Sequence, residues 1–161
     1  MSLSRQRGFS LLECMLFVAL LSIIGQSAMM GWHKISEGMK LQSAEHSIKA
    51  GLIYSREYAL VHAMPVTYCG SSSQHSCNGE WGKGQVSIDG RSRVLRAFSS
   101  VPKGIVISWR GGFGKNRSIQ FNKLGFSYGN QGAFFIKNIS TGGGVRVRLS
   151  PSGSVRIDLL R

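Results

Sequence analysis

Acidic residues are scarce in this sequence. Seven Asp and Glu stand against twenty Lys and Arg in 161 residues, a formal net charge of +13. That imbalance excludes an indifferent surface and predicts a polyanionic partner: nucleic acid, an anionic membrane surface or an acidic protein. The scarcity is sharpest after residue 90, where Asp158 is the lone acid beside thirteen Lys and Arg; residues 1–90 carry seven basic and six acidic side chains. Proline is rare too, and none precedes Pro65. Nothing therefore breaks a helix from about Phe9 to Ala63, whereas Pro65 disfavours helix at Met64. Groups for catalysis are equally thin: past residue 65 the acids are Glu80, Asp89 and Asp158, and the one histidine is His75. No two carboxylates are placed for acid–base work and no Ser or Cys has a recognisable base, so neither an enzyme nor a cofactor is expected. The length suits one domain with a core, and 21 glycines argue against an all-helical bundle.

What is present begins with an apolar run. From Cys14 to Trp32, nineteen residues carry no formal charge, enough helix for about one bilayer. Arg5 and Arg7 precede it, so the positive-inside rule puts residues 1–8 in the cytoplasm and the chain beyond the run across the membrane. Gly25-Gln26-Ser27-Ala28 has the small residues of a signal-peptide cleavage site, but the run is too long for one and helical pattern continues past it. Glu13 is the anomaly, because a carboxylate near the membrane boundary needs a partner. One reading is a signal anchor with a stray Glu. The other rests on Arg7-Gly8-Phe9-Ser10-Leu11-Leu12-Glu13, which resembles the class III leader of type IV prepilins and pseudopilins. The resemblance implies cleavage by prepilin peptidase between Gly8 and Phe9 and methylation of Phe9. It gives Glu13 the role of pairing with the N-terminal amine of a neighbouring pilin subunit. It also implies a bacterial inner-membrane anchor with the C-terminal domain in the periplasm, and later a place in a fibre at the cell surface.

Beyond the membrane, Leu41, Ala44, Ile48, Leu52 and Ala59 recur on one helical face. The helix thus turns from apolar all round to amphipathic near His33, although Gly25, Gly31, Gly38 and Gly51 weaken it. After Pro65 short β-prone runs alternate with Gly and Asn: Val66–Cys69, Gln85–Ile88, Val94–Phe98, Ile105–Trp109, Ser118–Phe121, Ala133–Ile139, Val145–Leu149 and Ser154–Leu159. The expected fold is α+β and pilin-like: a long N-terminal helix packed on one C-terminal antiparallel β-sheet domain. Its parts are a leader (1–8), a transmembrane and assembly helix (9–32), an amphipathic helix (33–64) and a periplasmic β domain (65–161).

Cys14 lies in the apolar run and reads as a small buried apolar residue. Cys69 and Cys77 flank a polar loop beyond the membrane, where an oxidising compartment favours a disulfide. The alternative is a metal site of Cys69, Cys77 and His75, which lacks a fourth ligand and a paired CxxC. Gly111-Gly112-Phe113-Gly114-Lys115-Asn116 has a faint likeness to a phosphate loop. Trp109 replaces its first Gly and Asn116 its Ser/Thr, so a basic loop between strands is the better reading.

Val145-Arg146-Val147-Arg148-Leu149 and Ser154-Val155-Arg156-Ile157-Asp158-Leu159 both alternate, so each strand has an apolar and a charged face. Parity selects the loop between them. A two-residue loop would set Arg148 opposite Val155 and mix the faces. The three-residue loop Pro151-Ser152-Gly153 sets Arg148 opposite Arg156, Arg146 opposite Asp158 and Val147 opposite Ile157, with Gly where a left-handed conformation is wanted. Facing arginines destabilise a sheet unless an anion sits between them; the competing reading is a solvated edge that discourages aggregation. Lys103, Arg110, Lys115 and Arg117, read as lying on Gly-rich connections, favour the anion surface.

Gly142-Gly143-Gly144-Val145-Arg146-Val147-Arg148, with Pro151 and Gly153, resembles the C-terminus of the FimT/GspH class of minor pilins and pseudopilins. That resemblance implies DNA binding through a Gly-Arg-x-Arg motif, here altered by Val145 in place of its Gly. The first expectation is a minor type IV pilin that binds extracellular DNA non-specifically for uptake in natural transformation. Arg146, Arg148, Arg156, Lys103, Lys115 and Arg117 would contact phosphates, while Trp109, Phe113 and Tyr128 read as core rather than as stacking residues. The second is a structural pseudopilin that primes or caps a type IV pilus or a type II secretion pseudopilus through protein contacts alone. Contact with anionic lipid headgroups is a third, weaker one, since the anionic leaflet faces the cytoplasm.

Overall fold

The computed structural model describes residues 10–111, 118–127 and 129–160, with the side chains of residues 24–30 outside the description. Gly8, Phe9, Phe113, Lys115, Arg117 and Tyr128 also lie outside it. The chain divides into two compact units, Met1–Ser36 and Glu37–Arg161.

A single helix, α1 (Leu11–Val61), runs through all four glycines without a break. In the first unit its described side chains from Leu11 to Ile23 are exposed, among them Leu11 at 79% and Leu21 at 63%. Cys14, expected to be buried, is exposed with them: among the described residues no side chain packs over it. No helix among the described residues is long and apolar enough to cross a membrane; the apolar run read from the sequence includes residues 24–30.

In the second unit the helix becomes amphipathic as its spacing predicts. Ala44, Ile48, Leu52 and Ala59 are buried and Leu41 half-buried against them, joined by Glu37, Gly51 and Ser55 on the same stripe. Past Val61 the chain turns out of the helix at Ala63, held at φ 51°, while the Met64 N–H donates back to the Ala59 carbonyl at 3.2 Å and Pro65 forbids continuation.

Eight strands come next among the described residues: β1 (Val66–Gly70), β2 (Gln85–Asp89), β3 (Val94–Phe98), β4 (Ile105–Gly111), β5 (Ser118–Phe121), β6 (Gly132–Asn138), β7 (Gly144–Leu149) and β8 (Val155–Leu160). They form two antiparallel four-stranded sheets, β3-β2-β1-β5 and β4-β6-β7-β8. The division arises because β5 leaves its sequence neighbour β4 and pairs with β1.

Both sheets share one core with the helix, in which Ile48 and Leu52 join Tyr68, Trp81, Phe121, Phe134, Ile136 and Val147. Gly51 makes room for the Tyr68 ring, since a Cβ there would stand 2.4 Å from it. Burial raises the Tyr68 phenol far above its ordinary pKa. Polar contacts fix the helix against β2: Ser55 Oγ and Ser87 Oγ lie 2.7 Å apart, and Ser47 Oγ donates to Gln85 Oε1 at 3.2 Å. Asn138, at the end of β6, donates to Glu37 Oε2 at 2.8 Å and to the Glu37 carbonyl at 3.1 Å. Cys69 and Cys77 form a disulfide that closes the polar loop after β1. Both sulfurs are used in it, which removes the thiolates that the metal alternative needs.

Candidate nucleic-acid interface

The second sheet has one buried and one open face. Alternation turns Ile105, Phe134, Ile136, Val145, Val147 and Leu149 into the core. The open face therefore takes the other parity, and direct cross-strand partners order it in rows. Arg110, Ala133, Arg148 and Arg156 form one row; Ser108, Phe135, Arg146 and Asp158 form the next; Val106 and Lys137 lie beyond. At about 4.8 Å between strands, Arg110 and Arg156 stand roughly 14 Å apart across the sheet.

The β7–β8 hairpin has the register that parity selects, with Arg148 opposite Arg156, Arg146 opposite Asp158 and Val147 opposite Ile157. Its loop is Pro151-Ser152-Gly153, closed by the Ser150 N–H on the Ser154 carbonyl at 3.0 Å. Gly153 has φ 77°, and a Cβ there would stand 2.3 Å from the Gly125 carbonyl oxygen. That carbonyl accepts from Arg56 Nε at 3.2 Å, so the hairpin tip is seated against the helix.

Electrostatically the open face holds five cations, Arg110, Lys137, Arg146, Arg148 and Arg156, and one carboxylate. Asp158 pairs diagonally with Arg148, Oδ2 to Nη2 at 2.5 Å, and not with Arg146 directly across from it. No carboxylate among the described residues pairs with Arg110, Arg146 or Arg156. Arg110 and Arg146 reach from the two neighbouring strands to Phe135, their guanidinium carbons 5.0 and 5.1 Å from the ring centroid. Between Arg110 and Arg148 the small side chain of Ala133 leaves a depression of about 560 Å³, lined also by Gln131, Phe135, Arg146 and Pro151.

The structure thus brings together Arg146, Arg148 and Arg156. Arg110, expected on a connection, sits instead within β4 and joins them, because β4 pairs with β6 up to Gly111. Lys103 lies in the turn before β4, at the opposite end of that strand from Arg110 and about 20 Å away by its rise. Lys137 extends the basic face toward that end. Glu13 is exposed in the first turn of α1. Trp109 turns inward, its ring 4.6 Å from Phe134, as a core residue. The aromatic on the open face is Phe135, which sequence reasoning missed. The signal for it was parity: in Ala133-Phe134-Phe135-Ile136-Lys137 the lysine marks the outward positions.

A long N-terminal helix carried onto antiparallel sheets is the pilin fold. The crystal structure of the Pseudomonas aeruginosa (strain PAO1) type IV minor pilin FimU in space group P21 matches with TM-score 0.62 at 21% identity, over 79% of this chain and 92% of that one. The same minor pilin in space group P65 matches with TM-score 0.58 at 21% identity, over 75% and 93% of the two chains. The family described as Type II transport protein GspH matches residues 45–153, and the Prokaryotic N-terminal methylation motif matches residues 3–25. The chain belongs to the GspH family of pilin-like proteins. Its N-terminal motif implies a membrane-anchored pilus subunit processed by prepilin peptidase and assembled with other pilins, which are structural subunits rather than enzymes. Among curated proteins none matches the chain.

Proposed function

We propose that this minor pilin binds extracellular DNA without sequence preference, through the open face of the β4-β6-β7-β8 sheet, for uptake in natural transformation. The observation that carries this reading is five cations beside one carboxylate on a single sheet face. Guanidinium groups supply forked donors for phosphate oxygens, and their spread across four strands suits a charged rod better than a compact anion. In this reading the anchor is helix 9–32, cleaved between Gly8 and Phe9, with Glu13 meeting the amine of a neighbouring subunit.

The test is a titration of the full chain in detergent micelles with labelled random-sequence duplex at several salt concentrations, beside the double variant Arg146→Gln/Arg148→Gln. A log–log salt slope of about −3 to −5, at roughly 0.9 per phosphate, is expected, with most of the binding lost in the variant. Absence of binding at low salt, or binding indifferent to the double substitution, would overturn the site.

A second reading, a structural subunit working through protein contacts alone, draws on a different feature. Strand β8 is a sheet edge, and Leu159 on it is 81% exposed. An apolar, unpaired edge is a surface that other subunits can cover.

A further inference from the structure

We infer that the depression between Arg110 and Arg148 receives an unpaired nucleobase, so that this face prefers single-stranded DNA to closed duplex. The inference rests on the DNA reading above and adds the form of DNA that the site selects.

Size is the first argument. The depression, about 560 Å³ and broadly open to solvent along the sheet face, has room for a flat ring and far exceeds what one phosphate oxygen needs. Chemistry is the second. Ala133, Phe135 and Pro151 give an apolar lining, and arginines stand around it. An apolar recess among cations matches a flat ring joined to a phosphodiester better than it matches a phosphate alone. The third argument comes from unsatisfied polar atoms. Gln131 Oε1 and Arg146 Nε are buried at this site without a hydrogen-bond partner. One is an acceptor and the other a donor. A phosphate, which has acceptors only, can satisfy Arg146 Nε but never Gln131 Oε1; a base edge offers both donors and acceptors. Finally, the planar guanidinium groups held against Phe135 are surfaces on which bases stack. A closed duplex presents its phosphates but keeps its bases stacked inside, and only an unpaired or extruded base can enter.

The experiment compares two labelled oligonucleotides of equal length and charge on the full chain in detergent micelles: a twelve-nucleotide oligothymidylate and its twelve-residue abasic counterpart with the same number of phosphodiesters. Phosphate contacts are the same for both, so a difference reports the base. The oligothymidylate is expected to bind about tenfold more tightly, a single stacked base being enough for that. Ala133→Leu and the smaller Ala133→Val both fill the depression without changing charge. Each should abolish the preference while leaving abasic binding in place, with melting curves verifying the fold of both variants. Equal binding of the two strands by the unaltered protein overturns the inference and leaves the DNA reading standing. A preference that survives Ala133→Leu also overturns it, because the base is then read elsewhere. Binding of neither strand removes the DNA reading itself, and this inference with it.

Discussion

Removing the lone carboxylate of the open face should strengthen DNA binding. In Asp158→Asn the face keeps its five cations and loses its one anion, so its net charge rises from +4 to +5. Arg148, which donates to Asp158 Oδ2, becomes free to meet a phosphate. One further phosphate contact steepens the log–log salt slope by about 0.9. Referred to 1 M salt, where counterion release contributes nothing, that contact raises affinity about fifteenfold at 0.05 M, about eightfold at 0.1 M and about fourfold at 0.2 M. The cost to the fold is small. Arg148 and Asp158 are 55% and 43% exposed, and such pairs contribute about 0–1 kcal/mol. Anisotropy titrations of a labelled random duplex at the three salt concentrations give the affinity ratio and slope together, with a melting curve to show an intact fold. An unchanged slope, or weaker binding with an intact fold, would refute the argument that this face meets phosphates. A subunit working through protein contacts alone would show no gain at any salt.

Four further outcomes concern the fold that holds the face in place. Gly153→Ala should cost about 1–3 kcal/mol, because φ is 77° and the new Cβ meets the Gly125 carbonyl; an unchanged melting temperature would contradict the seated hairpin tip. Ala63→Gly should act in the opposite direction, raising stability by about 0.5–1 kcal/mol, since Ala63 occupies a left-handed helix C-terminus; a fall in melting temperature would be the contrary result. Replacing Cys69 and Cys77 together with Ser should cost about 2–3 kcal/mol, judged by chemical denaturation, and reductant should then have no further effect. Asp89 accepts from the backbone N–H groups of Arg93 and Arg91 and from the Arg93 side chain, which holds its carboxyl below the usual carboxylate range. A depressed folded pKa gives stability that is complete above the unfolded value, about 3.9, and is lost as pH falls through the folded one. The advantage over Asp89→Asn should thus be constant near neutrality and shrink below about pH 4; a difference that stayed level to pH 2 would refute this.

Much of the fold was legible because strands and helices announce themselves by period. All eight β-prone runs are strands, their ends within one or two residues of the expected ones. The buried stripe from Ala44 to Ala59 is the one that helical spacing predicts. The hairpin register followed from parity and one Gly, since only a three-residue loop keeps Val147 beside Ile157 and the charged side chains on the other face. The shared face of Arg146, Arg148 and Arg156 was legible in this way, because β7 and β8 are joined by a loop short enough to fix their pairing locally.

The remainder lies between residues far apart in the chain. That β5 pairs with β1 while β4 pairs with β6 depends on which apolar faces bury together around the helix, and no local period records it. The same pairing carries Arg110 to Arg146 and Arg148 with Phe135 between them, and leaves Lys103 at the other end of its strand. The buried link between Glu37 and Asn138 spans 101 residues of sequence. Sequence alone thus determined the anchor motif, the helix, the strands, their inward faces and the surplus of positive charge, all of which repeat or cluster along the chain. Only the tertiary structure decided which of those charges share a surface and that a recess opens among them, because strand order is set by burial across the whole core and not by the residues of any one strand.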